Sequence, residues 1–180
     1  SYGSKESHEY WSKGVLEKYI GHYGNLRFEV TYKNGLESIR QHYDSDNLIL
    51  DAIYNTPEHK VYEKHYMFHD NGNLQWSYTK VDFGDGLVRH GKSELWYANA
   101  QKKEEIDYIY GVMGNWKEWY DNGQMSIDIV QNDKGEFHGT SRWWYPDGTL
   151  SQVSHYSNGE VVTEKGFDKT GKCIQGDCDE

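Results

Sequence analysis

The 180-residue sequence is poor in proline, cysteine and hydrophobic residues. It has two prolines and two cysteines, and its hydrophobic residues make up 36% of the chain. No stretch approaches the roughly eighteen consecutive apolar residues of a membrane-spanning helix, so membrane insertion is not expected. Such a composition is common in disordered chains. Seven tryptophans, sixteen tyrosines and five phenylalanines instead favour a folded chain with an aromatic core.

Positive charge is also scarce. Nineteen lysines and arginines face 29 acidic residues, which gives a net charge of -10. No basic stripe is present, since Lys102 and Lys103 are followed at once by Glu104 and Glu105. We therefore expect no nucleic-acid partner; the charge also disfavours an anionic membrane surface and favours a basic protein.

No group of residues has the spacing of a catalytic or metal site, so we expect no enzyme activity, no cofactor and no metal. His65 and His69 would lie about 13 Å apart on a strand, too far to share an ion. Adjacent Glu104 and Glu105 would point to opposite faces of a strand. The run from Asp44 to Asn47 lacks the glycine and glutamate of a calcium loop and is interpreted as a solvated turn. His90 and His138 each precede a recurring glycine and are interpreted as structural.

Turn signals are plentiful and recur roughly every twelve residues, the length of a strand plus a tight turn. This spacing predicts an all-β fold, an elongated antiparallel β-meander of about fourteen strands built of repeated β-hairpins. The signals are Gly14, Gly24, Gly35, Asn47, Pro57 to His59, Gly72, Gly86, Ala100, Gly111, Gly123, Gly135, Gly148, Gly159 and Gly171.

Two kinds of turn are predicted. In the first, an aromatic or aliphatic residue four positions before the glycine pairs with an aliphatic residue two positions after it, as in Phe68 with Leu74, Trp119 with Met125 and Trp144 with Leu150. Gly14 and Gly24 are assigned to this kind. The second kind is a two-residue Asn-Gly turn at Asn34-Gly35 and Asn158-Gly159, with Gly135 as a looser version.

We expect a single repeat domain over residues 1–180, with degenerate repeats at 8–61, clear repeats at 62–171 and a polar tail at 172–180. The segments 1–8 and 172–180 are expected to fray or to cap the ends of the sheet. In the tail, Cys173 and Cys178 are spaced for a disulfide, which favours an extracytoplasmic compartment; two free thiols in the cytoplasm are the alternative.

Alternation along the strands predicts which residues bind a partner. With Trp119 and Trp144 placed on the core face, the opposite face presents an exposed aromatic ridge of Trp116, Tyr120, Trp143 and Tyr145. Exposed tryptophan and tyrosine are typical interface anchors. The predicted partner-binding residues are Trp116, Glu118, Tyr120, Asp128, Trp143 and Tyr145. Alternatively, a second packing layer or folding of the sheet on itself buries these aromatics as core.

The segments Gly114 to Met125 and Glu136 to Leu150 resemble the MORN-variant repeat of the bacterial YwqK-like antitoxin family. Both carry the Trp-Tyr element of that repeat followed by Asn-Gly or Asp-Gly, and the second segment also carries its His-Gly element at His138-Gly139. The resemblance implies a bacterial immunity or antitoxin protein that binds and neutralises a toxin, here predicted to be a basic domain, and it supplies no catalytic residues. A carbohydrate-binding surface protein is the alternative, since a row of aromatics also stacks on sugars. A structural scaffold is a third.

Overall fold

The computed structural model describes residues 6–45, 47–54 and 60–178. In this part of the chain every regular element is a β-strand, and the strands lie in sequence order in one open antiparallel sheet. The predicted all-β meander is confirmed, with one strand more than expected. The strands are β1 (Glu6–Ser12), β2 (Val15–Tyr23), β3 (Leu26–Lys33), β4 (Leu36–Asp44), β5 (Asn47–Tyr54), β6 (Val61–Phe68), β7 (Leu74–Asp82), β8 (Leu87–Trp96), β9 (Lys102–Ile109), β10 (Val112–Trp119), β11 (Met125–Ile129), β12 (Gly139–Trp144), β13 (Leu150–Ser157), β14 (Glu160–Phe167) and β15 (Cys173–Gln175).

Contacts along the chain fall into two compact units. Unit 1 comprises residues 1–67 and 78–88, and unit 2 comprises residues 68–77 and 89–180. Unit 2 contains the strands in which the repeat is clearest, and each unit is described separately below.

The first kind of turn has one hydrogen-bond pattern. The Tyr120 amide donates to the Gln124 carbonyl at 2.8 Å, and the Gly123 amide donates to the Tyr120 carbonyl at 2.9 Å. This arrangement pairs Trp119 with Met125. Trp144 pairs with Leu150 in the same way, so these two of the three predicted pairs are confirmed. The same two bonds recur in the turns that begin at His69, Tyr97, Asn132, Tyr145 and Asp168.

The second kind of turn is also confirmed. Asn34 and Gly35 take φ values of 55° and 75°, and the flanking residues Lys33 and Leu36 pair directly. Positive φ at both positions is the requirement of a type I′ turn. Asn158-Gly159 repeats this geometry, with φ values of 50° and 89°.

Three turn assignments were wrong. Gly14 and Gly24 lie in two-residue turns, because Ser12 pairs with Val15 and Tyr23 with Leu26. The cause at Gly14 is that Lys13 itself adopts a left-handed φ of 50°, so no asparagine is needed there. Gly135 lies in a four-residue turn of the first kind, closed by a bond from its amide to the Asn132 carbonyl. The signal at Pro57 to His59 lies outside the described residues.

The buried core consists largely of small side chains. Ser93, Ser141 and Ser154 are almost completely buried, and Ile106, Ile129 and Tyr156 complete the core of unit 2, together with Ser77 and Ser126. In unit 1, Val30, Ala52 and Val81 are buried. Trp119 and Trp144 are half-buried rather than buried, but the register keeps both on the core face. Trp119 pairs with Met125, four residues before the buried Ile129, and Trp144 pairs with Leu150, four residues before the buried Ser154. The Trp76 indole donates to the Ser93 hydroxyl at 3.0 Å, so an aromatic side chain covers this small residue.

The histidines have structural contacts. His90 and His138 each accept a hydrogen bond at Nδ1 from the backbone of a following type I′ turn, from Tyr110 and Asn158 respectively. The Nε2 atom of His65 lies 2.9 Å from a Glu63 carboxylate oxygen, and that of His69 lies 2.9 Å from the Trp96 carbonyl. Among the described residues no three metal-ligating side chains cluster. Asp46, in the predicted solvated turn, is not described.

Candidate functional site

One face of unit 2 brings together three of the predicted binding residues. Trp116 of β10 lies directly opposite Ile106 of β9 and Ile129 of β11. One step along the strands, Glu118 lies opposite Ile127, and Ile127 lies opposite Trp143 of β12. Because facing residues on neighbouring strands point to the same side of a sheet, these side chains share one face. We call this set, Trp116, Glu118, Ile127 and Trp143, the tryptophan face.

A second carboxylate belongs to this face. Glu104 of β9 is the direct partner of Glu118 across the strand pair. Burial raises the pKa of the Glu118 carboxyl, and the Glu104 charge raises it further, against a smaller opposing effect of Lys103. Both glutamates are half-buried. Two carboxylates held side by side next to tryptophan rings form a site suited to a positively charged group.

Trp116 occupies a position at which neighbouring repeats have serine. It stands two residues after Gly114, as Ser93 stands after Gly91 and Ser141 after Gly139. Both serines are essentially buried, with 2% and 0% of their surface exposed. The Trp116 indole also has its Nε1 atom buried without a hydrogen-bond partner among the described residues. A large aromatic in a serine position distinguishes this repeat from its neighbours.

Asp128 does not join the tryptophan face. It lies between Ile127 and Ile129 and so points to the other side of the sheet, opposite Lys117 and Arg142. Glu105 shares that side, opposite Lys117. Glu105 forms ion pairs with Lys92 and Lys102, and Lys102 also pairs with Glu94 at 2.7 Å. The expectation that Glu104 and Glu105 point to opposite faces is confirmed. Charges on this side compensate one another, so it is less suited to select a basic partner.

The two tyrosines of the predicted set are committed to the fold. The Tyr120 hydroxyl donates to the Trp144 carbonyl at 2.7 Å, and the Tyr145 hydroxyl donates to the Phe167 carbonyl at 3.0 Å. Tyr97 makes the equivalent bond to the Trp119 carbonyl at 2.9 Å. Tyrosine at this turn position therefore connects one repeat to the next. We call these three bonds the tyrosine ladder.

The predicted exposure of the aromatic ridge was wrong. Trp116, Tyr120, Trp143 and Tyr145 are all half-buried, and Trp116 lies on the same face as the buried Ile106 and Ile129. The physical reason is the bulges at Glu118/Trp119 and Trp143/Trp144, where two successive residues come to the same side of the sheet. Trp116 and Trp143 therefore lie on the core face and not opposite it, as the buried Ser141 two residues before Trp143 shows. Their role in partner binding stays a prediction. The more exposed large side chains of unit 2 include Ile109, Tyr110, Val161, Val162 and Ile174.

Sequence reasoning missed Glu104 and Ile127 as neighbours of the site. Their places follow from the strand register, which depends on the bulges between Met113 and Trp116 and between Glu118 and Trp119. The sequence did contain a signal for Ile127. The turn spacing pairs Trp119 with Met125, and the bulge next to Trp119 then places Glu118 opposite Ile127.

The C-terminal cysteines are joined in the structure. Cys173 and Cys178 form a disulfide with a Cα–Cα distance of 5.7 Å. The bridge holds the loop after β15, where Gly176 lies against the Glu164 carbonyl so closely that no Cβ fits. The predicted bridge is thus present, and the end of the sheet is stapled.

Residues 114–129 and 137–158 match the family described as MORN repeat variant. The chain therefore carries MORN-variant repeats. The two matched segments contain Trp116, Glu118, Ile127 and Trp143, so the tryptophan face is formed within these MORN-variant repeats. Such repeats commonly mediate binding, and the family is not an enzyme family. No curated protein matches the chain. The part of the chain that the structure describes contains no helix long and apolar enough to cross a membrane.

Proposed function

We propose that this chain is a non-enzymatic protein-binding repeat module whose tryptophan face binds a basic protein. The observation that carries the proposal is the row formed by Glu104, Glu118, Ile127 and Trp143 across four adjacent strands, with Trp116 beside it. Tryptophan supplies a large contact area and a π-face that attracts cations, and the paired carboxylates supply the opposite charge.

The partner proposed more specifically is a basic toxin domain that the chain neutralises as an immunity or antitoxin protein. The net charge of -10 supports this, since an acidic inhibitor attracts a basic target over a long range and accelerates their association. A repeat sheet suits inhibition because it offers a rigid surface that loses little conformational freedom on binding.

Affinity capture from the source organism, followed by mass spectrometry, tests the proposal. The immobilised wild-type chain is expected to retain a protein of high isoelectric point. The Trp116→Ser variant, which restores the residue of the neighbouring repeats, should lose it while remaining folded. A variant of the exposed residue Val161, Val161→Ala, is the matched control and should capture the partner normally.

A second measurement tests the antitoxin role separately. The gene of the captured protein is expressed in a heterologous bacterium with and without this chain. We expect growth arrest from the captured protein alone and growth in the presence of the chain. Normal growth in both strains would leave a binding module without antitoxin function, and capture that is equal for wild type and Trp116→Ser would contradict the proposed face.

A further inference from the structure

Unit 1 contains a cavity that the proposed function does not use. Its volume is about 590 Å³, and its lining includes Tyr19, Tyr23, Leu26, Phe28, His42 and Ile49. Cavities of roughly 300 to 1,000 Å³ with mostly apolar walls and a few polar groups are the usual sites for small molecules. Four of these six residues are aromatic rings, counting the histidine imidazole, which gives the cavity flat walls.

Gly21, at which the backbone conformation does not require glycine, shapes this cavity. Gly21 is buried and has no positive φ, so its backbone conformation is open to other residues. A Cβ at this position would lie 2.4 Å from the Phe28 ring and 3.0 Å from the Tyr19 ring. The absent side chain lets both rings lie against the strand, where Gly21 and Phe28 are direct partners. Glycine here is explained by the close approach of these aromatics.

The aromatic walls are arranged around Phe28. Its ring centroid lies 6.1 Å from that of Tyr19 in a stacked arrangement and 6.1 Å from that of His42 in an edge-to-face arrangement. Phe28 and His42 face each other across β3 and β4. A flat aromatic ligand can therefore make offset or edge contacts with several rings at once.

The polar residues of the lining are Ser7, His22, Arg27 and His42, and His42 is the one directly opposite Phe28. Burial lowers the pKa of His42, and the charge of Arg40 lowers it further against a smaller opposing effect of Glu37, which favours the neutral imidazole. A neutral imidazole has one donor and one acceptor nitrogen and can bond a hydroxyl or an amine. The lining residues that the structure describes include no aspartate or glutamate, in a chain with 29 acidic residues. A strongly cationic ligand has no counter-charge here. The Arg27 guanidinium of the lining is already engaged by Glu29 at 3.6 Å and by the Tyr43 ring at 4.2 Å, so the cavity does not select an anion either.

We propose that this cavity binds a small, uncharged, planar aromatic molecule that carries one hydroxyl or amine group. The ring lies against Phe28 and Tyr19, Ile49 covers it, and the polar group bonds the His42 imidazole. This site is independent of the tryptophan face, so it stands or fails separately from the protein-binding role.

Two probes test the site, 2-naphthol and naphthalene, which differ in one hydroxyl group. Each is titrated into the full-length, isotope-labelled protein and followed through its amide resonances. We expect 2-naphthol to shift the resonances of Gly21, Phe28, His42 and Ile49 saturably, with a dissociation constant on the order of 0.1 to 1 mM. Naphthalene should bind the same residues several-fold more weakly, because it cannot bond the imidazole.

Three variants complete the test. Ile49→Trp fills the cavity and should weaken 2-naphthol at least tenfold, whereas Ile39→Trp, on an exposed position outside the lining, should leave it unchanged. His42→Phe keeps the aromatic wall and should reduce the affinity for 2-naphthol to that for naphthalene. Absence of saturable shifts in the wild type would overturn the proposal. The proposal would also be overturned if His42→Phe still bound 2-naphthol more tightly than naphthalene by the wild-type ratio. This readout does not depend on the folding of Ile49→Trp.

Discussion

The hydroxyl of Tyr120 donates a hydrogen bond to the backbone carbonyl of Trp144, 24 residues further along the chain, at 2.7 Å. Asparagines reinforce this contact between repeats, because the Asn99 amide donates to the Asp121 carbonyl and the Asn122 amide to the Pro146 carbonyl. The turns of successive repeats are thus connected by side chain–backbone bonds in addition to the strand ladder. Repeat proteins gain much of their stability from such nearest-neighbour contacts.

The tyrosine ladder predicts a loss of stability in Tyr120→Phe. Removal of the hydroxyl leaves the Trp144 carbonyl without this donor, which should lower the free energy of unfolding by about 1 kcal/mol. Urea denaturation followed by tryptophan fluorescence measures the change. Tyr10→Phe, which removes the same group from an exposed side chain, is the control and should differ from wild type by much less. Equal stability of both variants would show that the ladder does not stabilise the fold.

The buried serines predict a strict size limit at Ser141. This side chain has no exposed surface, and it faces Ser154 across β12 and β13. Leucine at 141 would overpack the site and should destabilise the fold by roughly 1 to 3 kcal/mol, although it is more hydrophobic. Ser157→Leu, at an exposed position of β13, is the matched control. Thermal melting of the two variants separates them, and a more stable Ser141→Leu would contradict the packing described here.

The raised pKa of Glu118 predicts a pH-dependent effect. Burial and the neighbouring Glu104 carboxylate place the folded-state pKa above the unfolded value, so the folded chain retains the Glu118 proton to higher pH. The contribution of Glu118 to stability is therefore greatest below the unfolded pKa, and it is lost as the pH rises through the folded pKa.

Glu118→Gln removes this titration. We expect the variant to be more stable than wild type near neutral pH, with the difference shrinking towards about pH 4 as the carboxyl is protonated in both states. The stability difference is measured from the free energies of unfolding of variant and wild type between neutral pH and about pH 4, with the exposed Glu160→Gln as control. If the advantage of Glu118→Gln over wild type grew on acidification, the pKa of Glu118 would not be raised in the folded state, and the prediction would be contradicted.

The disulfide predicts a local effect on the end of the sheet. In Cys178→Ser, the loop after β15 is no longer held, and a bridge that closes so short a loop contributes about 2 kcal/mol in the chain-entropy description. Hydrogen exchange should accelerate in the β14–β15 pair, at residues such as Gly166 and Gln175. Protection in β9 to β12 should stay at the wild-type level. Acceleration throughout unit 2 would instead make the bridge a global determinant of stability.

The sequence predicts the strands and turns of this protein better than its core. Turn chemistry is local, so Asn34-Gly35 and the Trp144–Leu150 pair follow from spacing alone. The face on which Trp116 and Trp143 lie does not follow, because the bulges at Glu118/Trp119 and Trp143/Trp144 interrupt the simple alternation of side chains along β10 and β12. Burial of Ser93 and Ser141 depends on what neighbouring strands place around them, which only the register reveals. For the same reason Trp116, Glu118 and Trp143 meet on one face, while Asp128 lies on the other.

Site-specific photocross-linking tests the proposed binding face most directly. A photoreactive phenylalanine analogue is placed either at Trp143, on the tryptophan face, or at the adjacent Arg142, which is exposed on the opposite side of the sheet. Irradiation is carried out in lysate of the source organism. The account predicts a cross-linked basic protein from position 143 and little or none from position 142. Cross-linking from position 142 alone would contradict it and place the partner on the charged side of the sheet.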